Sequence, residues 1–94
     1  MKKRAAARHI LVADAQTCDQ LKKDIEGGAD FAAVAREHSQ CPSKQRGGDL
    51  GEFGPGEMVR EFDTVVFSAP LNSVQGPVKT QFGYHLIEVT SRSG

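Results

Sequence analysis

The 94-residue chain carries twelve Lys and Arg residues against twelve Asp and Glu residues, so its formal net charge is zero. Its length predicts one domain, 1–94, with a single modest core. The balanced charge argues against nucleic-acid and anionic-membrane partners, and no stretch is long and apolar enough to span a bilayer.

The N-terminal segment begins with three basic residues at positions 2–4, as a secretory signal would. Charged residues interrupt the apolar run that a signal requires, so we expect a solvated basic end and a cytosolic address. In that compartment Cys18 and Cys41 are reduced. Their spacing is not C-x-x-C, and it gives no metal or redox signature.

The first half of the chain predicts a strand followed by two helices. The segment 8–12 (RHILV) alternates, with His9 on one face and Ile10 on the other. Asp14 can cap a helix that ends at 27–28 and buries Cys18, and Asp30 can cap a second helix.

The second half predicts a turn over CPSKQRGG, a short strand over 49–53 interrupted by a glycine, and a helix over 58–69. Two strands follow, over 74–78 and 84–90, and Pro77 restricts the first of them to an edge or an end. This order indicates an α+β fold in which helices pack on a small, largely antiparallel sheet.

Five of the ten glycines fall within the stretch RGGDLGEFGPGEM, 46–58. A phosphate-binding loop would explain such a cluster, but the stretch has neither the G-x-x-x-x-G-K-[ST] pattern nor the third glycine of a dinucleotide fingerprint. The glycines must therefore serve the path of the backbone.

Two histidines, His9 and His85, interrupt otherwise apolar strands at opposite ends of the sequence. If the first and last strands pair, both imidazoles can point to the same face. Buried imidazoles need hydrogen-bond partners, which another histidine together with Thr80 or Cys41 would supply. Considered singly, each histidine also fits a satisfied core position.

Two further interpretations concern the segments between these strands. Cys41 with His85 suggests a thiol nucleophile for acyl transfer, although no local protease signature accompanies it, and a semi-buried thiol is the plainer alternative.

Met58 and Phe62 are helical neighbours. With Leu50 and Phe82 they form either ordinary core or an apolar hole for a small ring.

Four segments in order, RHILV, CPSKQRGGDLGEF, GEMVREFDTVVF and GPVKTQFGYHLIEV, closely resemble the parvulin family of peptidyl-prolyl cis/trans isomerases, especially its small single-domain bacterial members. The resemblance extends from about position 4 to about position 92. It implies a monomer with an FKBP-like architecture, in which about four helices surround a four-stranded antiparallel sheet.

The resemblance also assigns site residues. His9 and His85 match the paired histidines of the family, Cys41 matches a position that holds Cys or Asp, and Thr80 belongs to the segment that leads into the second histidine. The proline pocket of the family corresponds to Leu50, Met58, Phe62 and Phe82.

The implied activity is isomerisation of X-Pro bonds in unfolded or flexible proteins, which assists folding through a non-covalent mechanism without metal or cofactor. The alternative is a peptide-binding chaperone module of the same fold. Phosphate-directed members carry basic residues after the first strand. Here that segment is ADAQTCD, 13–19, with two aspartates and no Lys or Arg, so we expect no phosphate requirement.

Overall fold

The computed structural model describes residues 3–93. Met1, Lys2 and Gly94 lie outside this range, and so does the predicted solvation of Lys2. Four strands form one antiparallel sheet in the spatial order β2-β1-β4-β3. Their bounds are β1 Arg4–Val12, β2 Asp49–Phe53, β3 Val74–Thr80 and β4 Gly83–Ser93.

Three α-helices and one 3-10 helix accompany the sheet. They are α1 Ala15–Glu26, α2 Phe31–His38, the 3-10 helix Pro42–Arg46 and α3 Arg60–Val66. The predicted α+β fold with a four-stranded antiparallel sheet is confirmed, with the 3-10 helix as the fourth helical element. None of the helices within residues 3–93 has the length and apolarity needed to cross a membrane.

The two predicted caps begin their helices as expected. A carboxylate oxygen of Asp14 accepts the N–H of Thr17 at 3.0 Å, and a carboxylate oxygen of Asp30 accepts the N–H of Ala33 at 3.0 Å. These bonds satisfy N–H groups that a helix leaves without an internal partner.

Each face of the sheet carries its own cluster of buried side chains, as the alternation along β1 and β4 predicts. One cluster packs beneath α1 and α2 and consists of Ile10, Val12, Cys18, Leu21, Phe31, Ala35 and Leu86. The other packs beneath α3 and consists of Ala5, Ala7, Phe53, Phe62, Val66, Ile87 and Val89. Cys18 is the small buried hydrophobe that the sequence predicts, and burial raises the pKa of its thiol to about 11.

Several sequence-based bounds were wrong. The strand β1 begins at Arg4 rather than at position 8, because Ala5 and Ala7 alternate into the core although alanine has little preference for strands. The strand β2 runs without a break from Asp49 to Phe53, but at Gly51, where φ is +72°, its pairing with β1 shifts register, which agrees with the predicted interruption. The edge position predicted for the strand that contains Pro77 is confirmed.

The predicted helix over 58–69 was also too long. Val59 is extended, with φ −63° and ψ 156°, and α3 begins only at Arg60. At the other end α3 stops at Val66, because Phe67 leaves the helical region with φ −94° and ψ 7°. Pro70, three residues further on, keeps the helix from resuming at Ala69. Met58 therefore lies in a loop before the helix rather than on it.

Candidate active site

The two strand histidines meet on the face of the sheet that α3 covers. Because β1 and β4 are neighbours, residues 76 apart in sequence come into contact: Nδ1 of His9 lies 3.1 Å from Nδ1 of His85. The rings are tilted by only 18°, with centroids 5.2 Å apart. The predicted pairing of the histidines is confirmed by this geometry.

A hydroxyl group continues the chain of hydrogen bonds beyond the pair. Oγ1 of Thr80 lies 2.7 Å from Nε2 of His85 and accepts the backbone N–H of Phe82 at 3.1 Å. Two proton arrangements satisfy these atoms. Either Thr80 donates to His85, which donates to His9, or His9 donates to His85, which donates to Thr80.

Both imidazoles are neutral at pH 7. They are 4% and 3% exposed, and burial disfavours a charged ring. Burial, with a smaller repulsive contribution from His85, lowers the pKa of His9 to about 4. Burial also lowers the pKa of His85, although the negative charge of Glu61 partly opposes that shift.

One ring from α3 stands against both histidines. The ring of Phe62 lies nearly perpendicular to His9 and to His85, at 78° and 86°, with centroid distances of 5.2 and 4.9 Å. Beside these rings is a cavity of about 170 Å³. Its walls are His9, Cys41, Leu50, Met58, Val59, Phe62 and His85.

The surface of this cavity is apolar, and the imidazole nitrogens of its two histidines lie buried behind that surface. Its volume is below the usual size of drug-binding pockets and suits a small cyclic group. Nε2 of His9 is buried and has no hydrogen-bond partner among residues 3–93. That atom is a donor or an acceptor according to the tautomer of the pair.

Cys41 is brought to the cavity by a serine that the sequence analysis did not single out. Oγ of Ser39 accepts the backbone N–H of Leu11 at 3.0 Å and that of Cys41 at 3.3 Å, which ties the segment before the 3-10 helix to β1. Cys41 is half-buried, and its thiol forms no disulfide bond. Because Cys41 is one of the walls, its side chain is accessible from the cavity.

Six of the eight predicted site residues line the cavity. Thr80 lies behind His85 instead and acts on it through a hydrogen bond. The prediction that Phe82 lines the pocket does not hold in this structure: its ring is 61% exposed and absent from the walls. Phe82 lies in the tight turn between β3 and β4, where its backbone rather than its ring faces Thr80.

Sequence analysis missed one wall residue. Val59 fell within the helix predicted over 58–69 and was not singled out, whereas in the structure its backbone is extended and its side chain lines the cavity. The signal available in the sequence was the Gly-Pro-Gly turn just before it, which allows a helix to begin later than the apolar pattern does.

Two larger clefts lie elsewhere, and most of the residues that line them are polar or charged. One, of about 340 Å³, lies between Lys3 and Arg92. The other, of about 440 Å³, lies between α1 and the end of α2. Within residues 3–93 no three His, Cys, Asp or Glu side chains are grouped to hold a metal. Of these three clefts in residues 3–93, the smaller cavity alone combines apolar walls with a buried imidazole pair.

Comparisons with known proteins agree with this geometry. The chain is 46% identical over 92 residues to the foldase protein PrsA of Geobacillus sp. (strain WCH70), an alignment that covers 97% of this chain and 33% of that protein. It thus spans about a third of the length of this curated relative.

Two solved structures are similar over nearly the whole chain. The peptidylprolyl isomerase PrsA of Bacillus anthracis superposes with a TM-score of 0.95 at 37% identity, covering 99% of this chain and 43% of that one. NmPin, the parvulin of Nitrosopumilus maritimus, superposes with a TM-score of 0.86 at 29% identity, covering 97% and 99%. The profile of the family described as "Rotamase: PPIC-type PPIASE domain" matches residues 3–91. The chain belongs to the family of PPIC-type PPIase domains.

Proposed function

We propose that this chain is a peptidyl-prolyl cis/trans isomerase that acts on X-Pro bonds of unfolded or flexible proteins and so assists their folding. The observation that carries the proposal is the apolar cavity of about 170 Å³ bounded by Phe62 and a buried imidazole pair. Membership in the PPIC-type family and similarity to foldases support it.

The reaction sets what such a site must do. Rotation about an X-Pro bond crosses a barrier of roughly 18–20 kcal/mol because it breaks amide resonance, and it makes no new bond. Catalysis therefore requires tighter binding of the twisted amide than of either planar form. Loss of water around the carbonyl also helps, since the planar amide is the more polar state.

The cavity residues fit those requirements in the following way. Met58 and Phe62 grip the proline ring, while the chain on the other side of the bond turns. Cys41 meets the carbonyl of the residue before proline. The neutral pair of His9 and His85 holds the wall rigid and sets the polarity near Cys41, without proton transfer to substrate.

A phosphate before the proline is not required in this proposal. The segment after β1 is Ala13 and Asp14 followed, from Ala15 onward, by the first turns of α1, the helix that Asp14 was predicted to cap. Asp14 caps that helix, and its bonds to Thr17 lower the pKa of its carboxyl, which keeps it negative. A phosphorylated substrate would meet repulsion from Asp14 and no cation in this segment.

The test is an NMR exchange or protease-coupled assay on a panel of unphosphorylated X-Pro tetrapeptides. We expect accelerated exchange with and without EDTA, and no gain when the residue before proline is phosphoserine. Exchange at the uncatalysed rate for every peptide would refute the enzyme proposal and favour a peptide-binding module.

A cysteine hydrolase is the other alternative, and it rests on Cys41 lying in the same cavity as His85. Its fingerprint is an acyl-enzyme formed on an ester substrate, which intact-mass analysis would detect. Isomerisation forms no such adduct, so we expect the mass of the protein to stay unchanged.

Two expectations from the sequence, a monomer and a cytosolic address, remain predictions and form part of this proposal. Light scattering on the purified chain measures the first. Fractionation of the native cells with an antibody against the chain measures the second.

A further inference from the structure

Three of the seven cavity walls stand on irregular backbone: Cys41, just before the 3-10 helix, and two residues of one loop. Residues 54–59, here called the cavity loop, connect β2 to α3 and belong to neither. Met58 and Val59 both come from this loop. The shape of the cavity therefore depends on what fixes a segment that has no helix or strand bonding of its own.

Two carboxylates hold the cavity loop at separate points. Oε2 of Glu57 accepts the backbone N–H of Gly54 at 2.7 Å and also meets the guanidinium of Arg4 at 3.3 Å, which ties the loop to β1. Oδ2 of Asp63 accepts the backbone N–H of Gly56 at 2.7 Å, which ties the loop to α3. Such charge-assisted bonds are stronger than neutral ones.

Asp63 holds the loop by its backbone as well as by its side chain. Its N–H donates to the carbonyl of Val59 at 3.2 Å, next to the bond at 3.0 Å from Phe62 to the same carbonyl. Asp63 thus bonds to Gly56 and to Val59, which lie on either side of Met58 in the sequence.

Asp63 is half-buried, and only one of its two carboxylate oxygens is bonded within the described residues. Oδ1 is buried and has no hydrogen-bond partner among residues 3–93. A carboxylate oxygen without a partner disfavours the folded state. The side-chain tether from Asp63 to Gly56 therefore depends on Oδ2 alone.

We propose that Asp63 is a positioning residue that holds the cavity loop closed, so that Met58 and Val59 are in place before the proline ring arrives. This inference rests on the proposed isomerase function and deepens it. A loop that samples open states lowers the fraction of competent molecules, and the apparent affinity falls by that fraction. The effect belongs in KM rather than in kcat, because the bound state is the same.

The experiment compares Asp63→Ala with Asp63→Asn. The alanine variant loses the acceptor for Gly56, so we expect KM to rise about tenfold with kcat within about twofold. The asparagine variant keeps an acceptor oxygen and should keep KM within about twofold of the original chain. In the asparagine variant the amide nitrogen takes the place of the unpartnered oxygen Oδ1. The variant should therefore still be less stable than the original chain, because the amide N–H groups have no acceptor there.

A spectroscopic readout separates this inference from the proposed function. The chain has only two methionines, so methyl-labelled methionine gives two resonances, and comparison with Met58→Leu identifies the resonance of Met58. We expect that resonance to broaden or move towards the unfolded position in Asp63→Ala and to stay in place in Asp63→Asn. This result does not depend on catalysis.

The matched control is Asp30→Ala, which removes a carboxylate bond of the same kind, to Ala33, at the start of α2. We expect it to lose stability with unchanged KM and an unchanged Met58 resonance.

If Asp63→Ala does not fold, Glu57→Ala releases the other tether and should raise KM about threefold. An unmoved Met58 resonance, or a KM that follows stability across all variants, would overturn the role of Asp63. An inactive original chain with the expected Met58 shifts would instead refute only the isomerase function.

Discussion

A methyl group added at Gly48 tests how the backbone builds the histidine wall. Gly48 has a φ of +87°, and its carbonyl accepts the N–H of His9 at 2.9 Å. An added Cβ would overlap the carbonyl oxygen of His9 and press on Ala35. Gly51 has a similar φ of +72° with nothing within 4 Å of its added Cβ. The two positions therefore separate backbone strain from close approach.

The magnitudes follow from that difference. Left-handed backbone costs an alanine about 1–2 kcal/mol, and a stiffer unfolded chain offsets about 0.4–1 kcal/mol of it. Gly51→Ala should therefore lose about 1 kcal/mol. Gly48→Ala carries the same strain and must also displace the backbone of His9, which typically adds about 1–3 kcal/mol. We expect it to be about 2 kcal/mol less stable than Gly51→Ala.

Urea unfolding followed by circular dichroism measures this difference, because the chain has no tryptophan for fluorescence. In thermal melts about 2 kcal/mol corresponds to roughly 8–16 °C for a domain of this size. The remaining folded Gly48→Ala should also lose kcat/KM, since His9 moves. Equal stabilities for the two variants would refute the idea that close approach at Gly48 fixes His9.

Three further predictions concern the cavity itself. Phe62→Ala should lower kcat/KM at least tenfold, because it opens the cavity, and should cost about 3–5 kcal/mol of stability. The control is Val66→Ala, at a buried position on the same helix that does not line this cavity, and it should lose stability without a loss of kcat/KM. Equal losses of kcat/KM in the two variants would contradict the role of Phe62. Cys41→Asp should keep measurable exchange activity in the NMR assay, because the mechanism needs no nucleophile, and complete loss in the folded variant would point to thiol chemistry. Because the pKa of His9 in the folded chain, about 4, lies below that of the unfolded chain, its contribution to stability is present above pH 6.5 and is lost as the pH falls. Urea melts should show that the free energy of unfolding falls by about 2 kcal/mol between pH 7 and pH 5, and that His9→Gln reduces this fall. A free energy of unfolding that stays constant over this range in the original chain would contradict the prediction.

The paired histidines could be predicted because strand alternation is a local property. The alternating patterns in 8–12 and 84–90 determine which face of its strand each histidine occupies. Antiparallel pairing of the two strands then places His9 and His85 on the same face of the sheet. The same reasoning placed the caps at Asp14 and Asp30, whose bonds reach only three residues along the chain.

The path of the cavity loop could not be predicted in this way. The apolar spacing of Met58 and Phe62 fits a helix, and nothing local reveals that Asp63 binds Gly56 and delays the start of α3. Val59 was missed for that reason. The exposed ring of Phe82 is a similar case, since a tight turn leaves its direction to the surrounding backbone.

The pairing of the earliest strand with the last one also has a consequence for synthesis. The central strands are residues 4–12 and 83–93, so contacts of high sequence separation must form before the cavity exists, and such topologies fold comparatively slowly. A chain emerging from the ribosome has β1, the helices and β3 before it has β4. Until Gly83 and the residues after it emerge, His9 has no His85 to bond and the cavity lacks a wall. Isomerase activity in a translation time course should therefore appear only after β4 has emerged.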